Sequence, residues 1–175
     1  DEVSNKNALL ALWMNQIGGV AILLALVGSI LFYDTLYFDI LLEKIDSSFL
    51  LPLTLLAIAA FVKAASIPFD KWLLGAMVAP TPVSAILHSA TMVKIAPYLM
   101  LKLAPAMSDF ISITITIIGT SVFFFASLFA LSKDYFKEIL GLSTIALLGL
   151  MIALAAIGTA ESIMACIILI VFHAI

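Results

Sequence analysis

The sequence has no arginine and little charge of any kind. Its basic residues are eight lysines, set against eleven acidic residues and two histidines, and charged residues make up 11% of the 175. A net charge of −3 with no basic cluster excludes a nucleic-acid partner. The single cysteine, Cys166, rules out an internal disulfide and reads as a small space-filling residue within a helix. No metal-ligand spacing, nucleotide-binding glycine loop or catalytic triad is present, so no cofactor and no metal are expected, and no redox chemistry within the chain itself. The opening Asp1-Glu2-Val3 lacks the charged, apolar and cleavage-site parts of a signal peptide. The closing Phe172-His173-Ala174-Ile175 stands inside an apolar run with no stop signal. Residues 1–175 therefore read as one transmembrane domain, a fragment of a longer chain.

What is abundant is apolar side chain, 65% of residues, with a mean hydropathy of +1.27. A water-soluble domain of this size cannot hide that much, because its surface must still meet water. Lipid removes the difficulty, and a membrane-spanning helix needs about 20 mostly apolar residues. Such runs cover Ala8 to Phe32, Phe49 to Ile67, Pro82 to about Leu103, Phe110 to Leu131 and Ile139 to Ile157, with a sixth beginning near Ser162. Transmembrane strands would read as alternating segments of about ten residues; these runs are long and continuous. The expected fold is all-α, a polytopic transmembrane helix bundle of about six spans surrounded by membrane lipid.

The connections agree. Between the first two spans, Phe38, Leu41, Leu42 and Ile45 fall at helical spacing while Asp39, Glu43 and Asp46 take the other side, which predicts a short interfacial helix. Asp109 and Glu161 mark turns, and Tyr33, Tyr37, Trp72 and Tyr135 lie near span ends, where aromatic belts are expected. The N-terminal side of the bundle carries Lys6, Lys71, Lys133 and Lys137, the opposite side Lys44 and Lys102. By the positive-inside rule the N-terminal side faces the cytoplasm, here of a cell (inner) membrane.

Two lysines fall inside spans. Lys94 lies roughly 18 Å along the third at about 1.5 Å per residue, near the midplane, where a lysine costs above about 2.5 kcal/mol. Lys63 is five residues before Pro68 and either snorkels from its helix end or faces the interior. No carboxylate of the sequence sits at comparable depth, so a structural ion pair for Lys94 needs a partner outside it. Pro68 removes the N–H that would meet the carbonyl of Ala64, and Pro97 the one that would meet Val93. Ser66 and Pro68 resemble a helix start and a half-span follows, so the second span is expected to break between about Ala64 and Phe69. Broken helices at membrane depth are tolerated where they line a polar cavity. In the third span Ser84, His88, Thr91 and Lys94 climb one side of the helix, and His88 suits a proton relay or a hydrogen bond between helices. His173 is similar but lies at the end of the sequence.

At these residues the chain resembles a known family. The run Lys63-Ala64-Ala65-Ser66-Ile67-Pro68-Phe69-Asp70-Lys71-Trp72-Leu73, followed by Ala79-Pro80-Thr81-Pro82-Val83-Ser84-Ala85-Ile86-Leu87-His88-Ser89-Ala90-Thr91-Met92-Val93-Lys94, is similar to the signature of the antiporter-like subunits. These occur in respiratory complex I, in Mrp-type sodium/proton antiporters and in membrane-bound hydrogenases. The block from Asp134 to Gly149 resembles the family's next stretch. The resemblance lays the chain on the family's sixth to eleventh helices. It implies proton translocation through Lys63 on the broken seventh helix, Lys94 and His88 on the eighth and His173 on the eleventh. It also implies partner membrane subunits in a multi-subunit complex, further antiporter-like subunits among them. Lys94-Ile95-Ala96-Pro97 replaces a small-residue and glycine pattern common in complex I, and Leu169 replaces a histidine found in some members. Asp70-Lys71 replaces a commoner uncharged or histidine-bearing pair. The first two departures favour the hydrogenase or Mrp branches over ordinary complex I.

Two rival functions are weighed against an ion-translocating subunit. A stand-alone transporter of a small solute needs a substrate pocket, typically with half-helix ends aimed at it, and no such site is evident. A structural scaffold has no use for two buried lysines. Lys63 and Lys94 are expected to share one polar region and act as a relay, since two nearby ammonium groups in a poorly screened interior repel and titrate together.

Overall fold

Lipid offers the backbone no hydrogen bonds, so each apolar run must satisfy its own N–H and C=O groups as helix. The computed structural model describes residues 2–45, 50–86 and 92–174, and every regular element among them is helical. Helix α1 spans Glu2–Tyr33, α2 Phe38–Lys44, α3 Leu51–Lys63 and α4 Lys71–Gly75, which tightens into a 3₁₀ turn over Ala76–Val78. Helix α5 spans Thr81–Ala85 and α6 Ile95–Leu103, again ending in a 3₁₀ turn, Ala104–Ala106. Helices α7, α8 and α9 span Asp109–Leu131, Phe136–Ile157 and Ala160–Ala174.

Helices α1, α7 and α8 are long and apolar enough to cross a membrane, while α3, Ile95–Ala106 and α9 are shorter apolar helices. At 32 residues α1 is about 48 Å long, well beyond a hydrocarbon core of about 30 Å. Its surplus first turn carries the exposed Lys6–Glu2 pair, 3.0 Å apart. Helix α2 is the expected amphipathic connection: Leu41 is buried, Phe38, Leu42 and Ile45 are half-buried, and Asp39 and Glu43 are exposed. Asp109 and Glu161 fall in the first turns of α7 and α9, where the helix dipole favours negative charge.

Helix α8 is the buried centre, flanked by α6, α7 and α9, while α1 lies across α3 and α4. Helices α7 and α8 approach each other closely at a pair of glycines. A Cβ added to Gly119 would lie 2.7 Å from the carbonyl oxygen of Gly149, and one added to Gly149 would lie 2.8 Å from that of Gly119. Lipid tails are as apolar as leucine, so helices associate in a membrane by close packing, which small residues permit. Cys166 is buried in α9, and its thiol donates to the carbonyl of Met151 on α8 at 3.2 Å.

Two expectations are corrected. Trp72 is not part of an aromatic belt: it is 2% exposed, and its indole N–H is bonded inside the protein. Tyr37 and Tyr135 do stand exposed. Nor is Lys94 in mid-helix. Residues 92–94 form a turn, and Lys94 is the N-cap of α6. The reason is Pro97, the third residue of α6. In a first turn proline's missing N–H costs nothing, whereas deeper in a helix it breaks a bond. The carbonyl of Val93, expected to be freed by Pro97, instead accepts from Ala96 N at 3.4 Å.

Candidate ion-translocation site

The break after α3 has a specific construction. Ala64 caps the helix, and Ala65 adopts a left-handed conformation with φ +50°. Ser66 N then donates to Phe61 O at 3.0 Å, and Ala65 N to Val62 O at 3.1 Å. This pair of bonds is the Schellman closure, with alanine where glycine is usual. The chain continues unwound through a cis Ile67–Pro68 peptide bond to α4. The interruption thus lies where Ser66 and Pro68 predicted it, and Lys63 is the last residue of α3.

Two neighbours hold this end. Trp72, two residues into α4, reaches back so that its Nε1 donates to Val62 O at 3.0 Å. The Lys63 amine donates to Asn15 Oδ1 on α1 at 2.8 Å. Lys63 is half-buried and does not snorkel free; it is turned against α1. Among the described residues no carboxylate pairs with it. The Ser66 hydroxyl, in the break itself, is buried with no hydrogen-bond partner among the described residues.

Lys94 is 7% exposed at the head of α6, and α6 packs on α3. The packed helices therefore carry their lysines at broken ends, one at the close of α3 and one at the start of α6. His88 and Thr91 lie outside the described residues. Ser84, four residues before His88 in the sequence, is buried, and its hydroxyl donates to Ala79 O at 3.3 Å. The Lys137 amine, from the first turn of α8, donates to the same carbonyl at 3.3 Å. A cavity of about 120 Å³ opens beside these groups, lined by Met77, Thr81, Ser84, Ala85, Lys137 and Leu140. His173 is half-buried in the last turn of α9.

Asn15 and Trp72 were not singled out as site residues by sequence reasoning. Asn15 did leave a signal: Asn15-Gln16 is a polar pair in the middle of an otherwise apolar run.

A family model described as NADH:quinone oxidoreductase/Mrp antiporter, TM, matches residues 1–175. The chain belongs to this family. Among its relatives, Na(+)/H(+) antiporter subunit A1 of Staphylococcus epidermidis is 40% identical over 155 residues, 85% of this chain and 19% of that protein. NADH-ubiquinone oxidoreductase chain 5 of Artemia franciscana is 32% identical over 155 residues, 89% of this chain and 28% of that one. A solved structure of the Mrp complex from a Dietzia species superposes with a TM-score of 0.90 at 35% identity, over 96% of this chain and 19% of the chain matched. The chain thus spans about a fifth of the length of the antiporter subunit it matches. Membership in this antiporter family, together with the apolar helices, makes it an integral membrane protein.

Proposed function

We propose that the chain is the lysine-bearing part of a proton or sodium/proton translocating membrane subunit, working within a multi-subunit complex that includes further antiporter-like subunits. The observation that carries this reading is the pair of lysines at the broken ends of packed helices, Lys63 closing α3 and Lys94 opening α6. A lysine amine at membrane depth is costly and is retained chiefly where ions pass. In this reading Lys63 and Lys94 exchange a proton, His88 and Thr91 extend the path toward the N-terminal side, and His173 serves its far end. An electrostatic change near Lys63 then decides which amine holds the proton, with no cofactor in this chain.

The identities of 40% to an Mrp-type subunit and 32% to a complex I chain support the Mrp branch. The Mrp complex as a structural match supports partner subunits of the same kind. We place the protein in the cell membrane with its N-terminal side cytoplasmic, from the lysine distribution. Residues 1–175 act as one transmembrane domain corresponding to the family's sixth to eleventh helices. Co-purification with iron–sulfur or nickel-bearing subunits would move the chain to the hydrogenase branch.

The test is transport by the full-length subunit in its complex, reconstituted in vesicles, with assembly measured separately. Lys63→Ala and Lys94→Ala each leave an assembled complex with impaired transport. Lys→Arg restores it incompletely, since arginine stays protonated. Normal transport by either alanine variant removes that lysine from the path.

A further inference from the structure

Among the described residues, the Lys63 amine has a hydrogen-bond partner that carries no charge. Asn15 is the fourteenth residue of α1, about 20 Å from its start and so near the middle of the span. A carboxamide there is a polar group that the helix must aim at protein rather than at lipid. Its oxygen accepts from Lys63 Nζ at 2.8 Å, and its Nδ2 donates to Ala11 O, one turn back on α1, at 2.9 Å. The two bonds fix the orientation of the amide. A lysine amine that is charged has three donors and no acceptor, so only the oxygen of Asn15 can face it, and the NH₂ must find an acceptor elsewhere. Ala11 supplies that acceptor. The residue thus arrives with its oxygen already directed at the amine.

We propose that Asn15 is a positioning residue for Lys63, a neutral acceptor that holds the amine at the end of α3 without adding an anion to trap its proton. The proposal rests on the reading of Lys63 as a proton carrier. A carboxylate in the same place would also orient the amine, but it would favour the charged form and hold the proton against release. An apolar residue would leave the amine free to swing. An amide does the first task without the second, which suits a group that must both take and give a proton.

Among the described residues, the surroundings leave this role to Asn15. Of the described helices, α1 and α6 pack along α3, and α4 folds back on its end through Trp72. On α1 the titratable side chains are Glu2 and Lys6 at one end and Tyr33 at the other, each at least about 13 Å along the axis from Asn15. On α6 they are Tyr98 and Lys102, both exposed, with Lys94 at its head. Asp70 and Lys71, at the start of α4, lie beyond the break, and Asp109 stands in the first turn of α7.

The experiment measures transport against pH in vesicles holding the full-length subunit in its complex, with Asn15→Asp, Asn15→Leu, Asn15→Gln and Lys63→Ala side by side and assembly measured for each. An opposite charge within about 4–6 Å moves a titration by roughly 1–3 units, so Asn15→Asp is expected to move the transport profile alkaline by about one unit or more. Asn15→Leu, matched in shape, is expected to lower transport several-fold, and Asn15→Gln, which keeps an amide oxygen, to recover part of it. If Asn15→Asp does not assemble, the comparison of Leu with Gln decides: equal transport by the two overturns the proposal. So does an assembled Asn15→Asp complex with an unshifted profile. If Lys63→Ala transports normally, the proton-carrier reading fails and Asn15 falls with it. If Lys63→Ala is impaired while the Asn15 variants match the unmodified complex in rate and pH profile, only the role of Asn15 fails.

Discussion

Replacing Trp72 by phenylalanine tests whether the end of α3 is held from α4. The indole N–H donates to Val62 O, the carbonyl just before Lys63, and the ring is 2% exposed. Hydrogen bonds between membrane helices average about 0.6 kcal/mol and reach about 1.7. Val62 O keeps a second donor, Ala65 N at 3.1 Å, so losing the indole does not orphan it. Phenylalanine also leaves part of the ring's space unfilled, which in a packed interior adds about 1–2 kcal/mol. The sum is about 2–4 kcal/mol. Leu73→Ala is the control: Leu73 is fully buried on the same short helix, has no described hydrogen bond to α3, and its truncation costs about 2–5 kcal/mol. If the indole positions Lys63, Trp72→Phe lowers transport more than Leu73→Ala although it destabilises no more. The assays are unfolding of the purified complex in detergent and transport in vesicles. Wild-type transport by Trp72→Phe, or an equal loss in Leu73→Ala at equal assembly, refutes the reasoning and makes Trp72 a packing residue alone.

Gly149→Ala is expected to destabilise the subunit by about 1–3 kcal/mol, since its Cβ meets the backbone of α7 at Gly119 O and Phe123 N and the two helices must separate; unchanged detergent unfolding would show that the crossing gives way easily. Ser66→Ala removes a buried hydroxyl without a described partner, a group that costs about 1–3 kcal/mol when unmet. Stability therefore holds or rises, while transport falls if the hydroxyl serves the break. A clear loss of stability would mean that the hydroxyl is bonded in the assembled protein.

Hydropathy located the helical runs because in lipid an apolar stretch has no alternative to helix. The same physics made the two lysines conspicuous, since charge at that depth is costly wherever the helices pack. Pro68 with Ser66 marked the break through local chemistry, the missing N–H and the restart, and needed no knowledge of neighbours. Pro97 carried the same local rule to a different outcome: it sits in a first turn, so Lys94 heads a helix, and only the fold shows where that helix begins.

What hydropathy could not supply was rotation. In a soluble helix the apolar stripe tells which face is inside; α1 is apolar nearly all round, because lipid and protein interior are alike to it. The sequence therefore showed a polar Asn15 at mid-span but not what it faces. Its contact with Lys63 joins residues 48 apart and depends on the phase at which α1 lies on α3. Trp72 went astray for the same reason: its place near a span end suggested an interface, and only the fold back of α4 onto α3 put its N–H on Val62 O. Spans, break and lysines were local facts of the chain. The partners of those lysines were decided by packing, because a hydrogen bond between helices requires both to present the right face at the same depth.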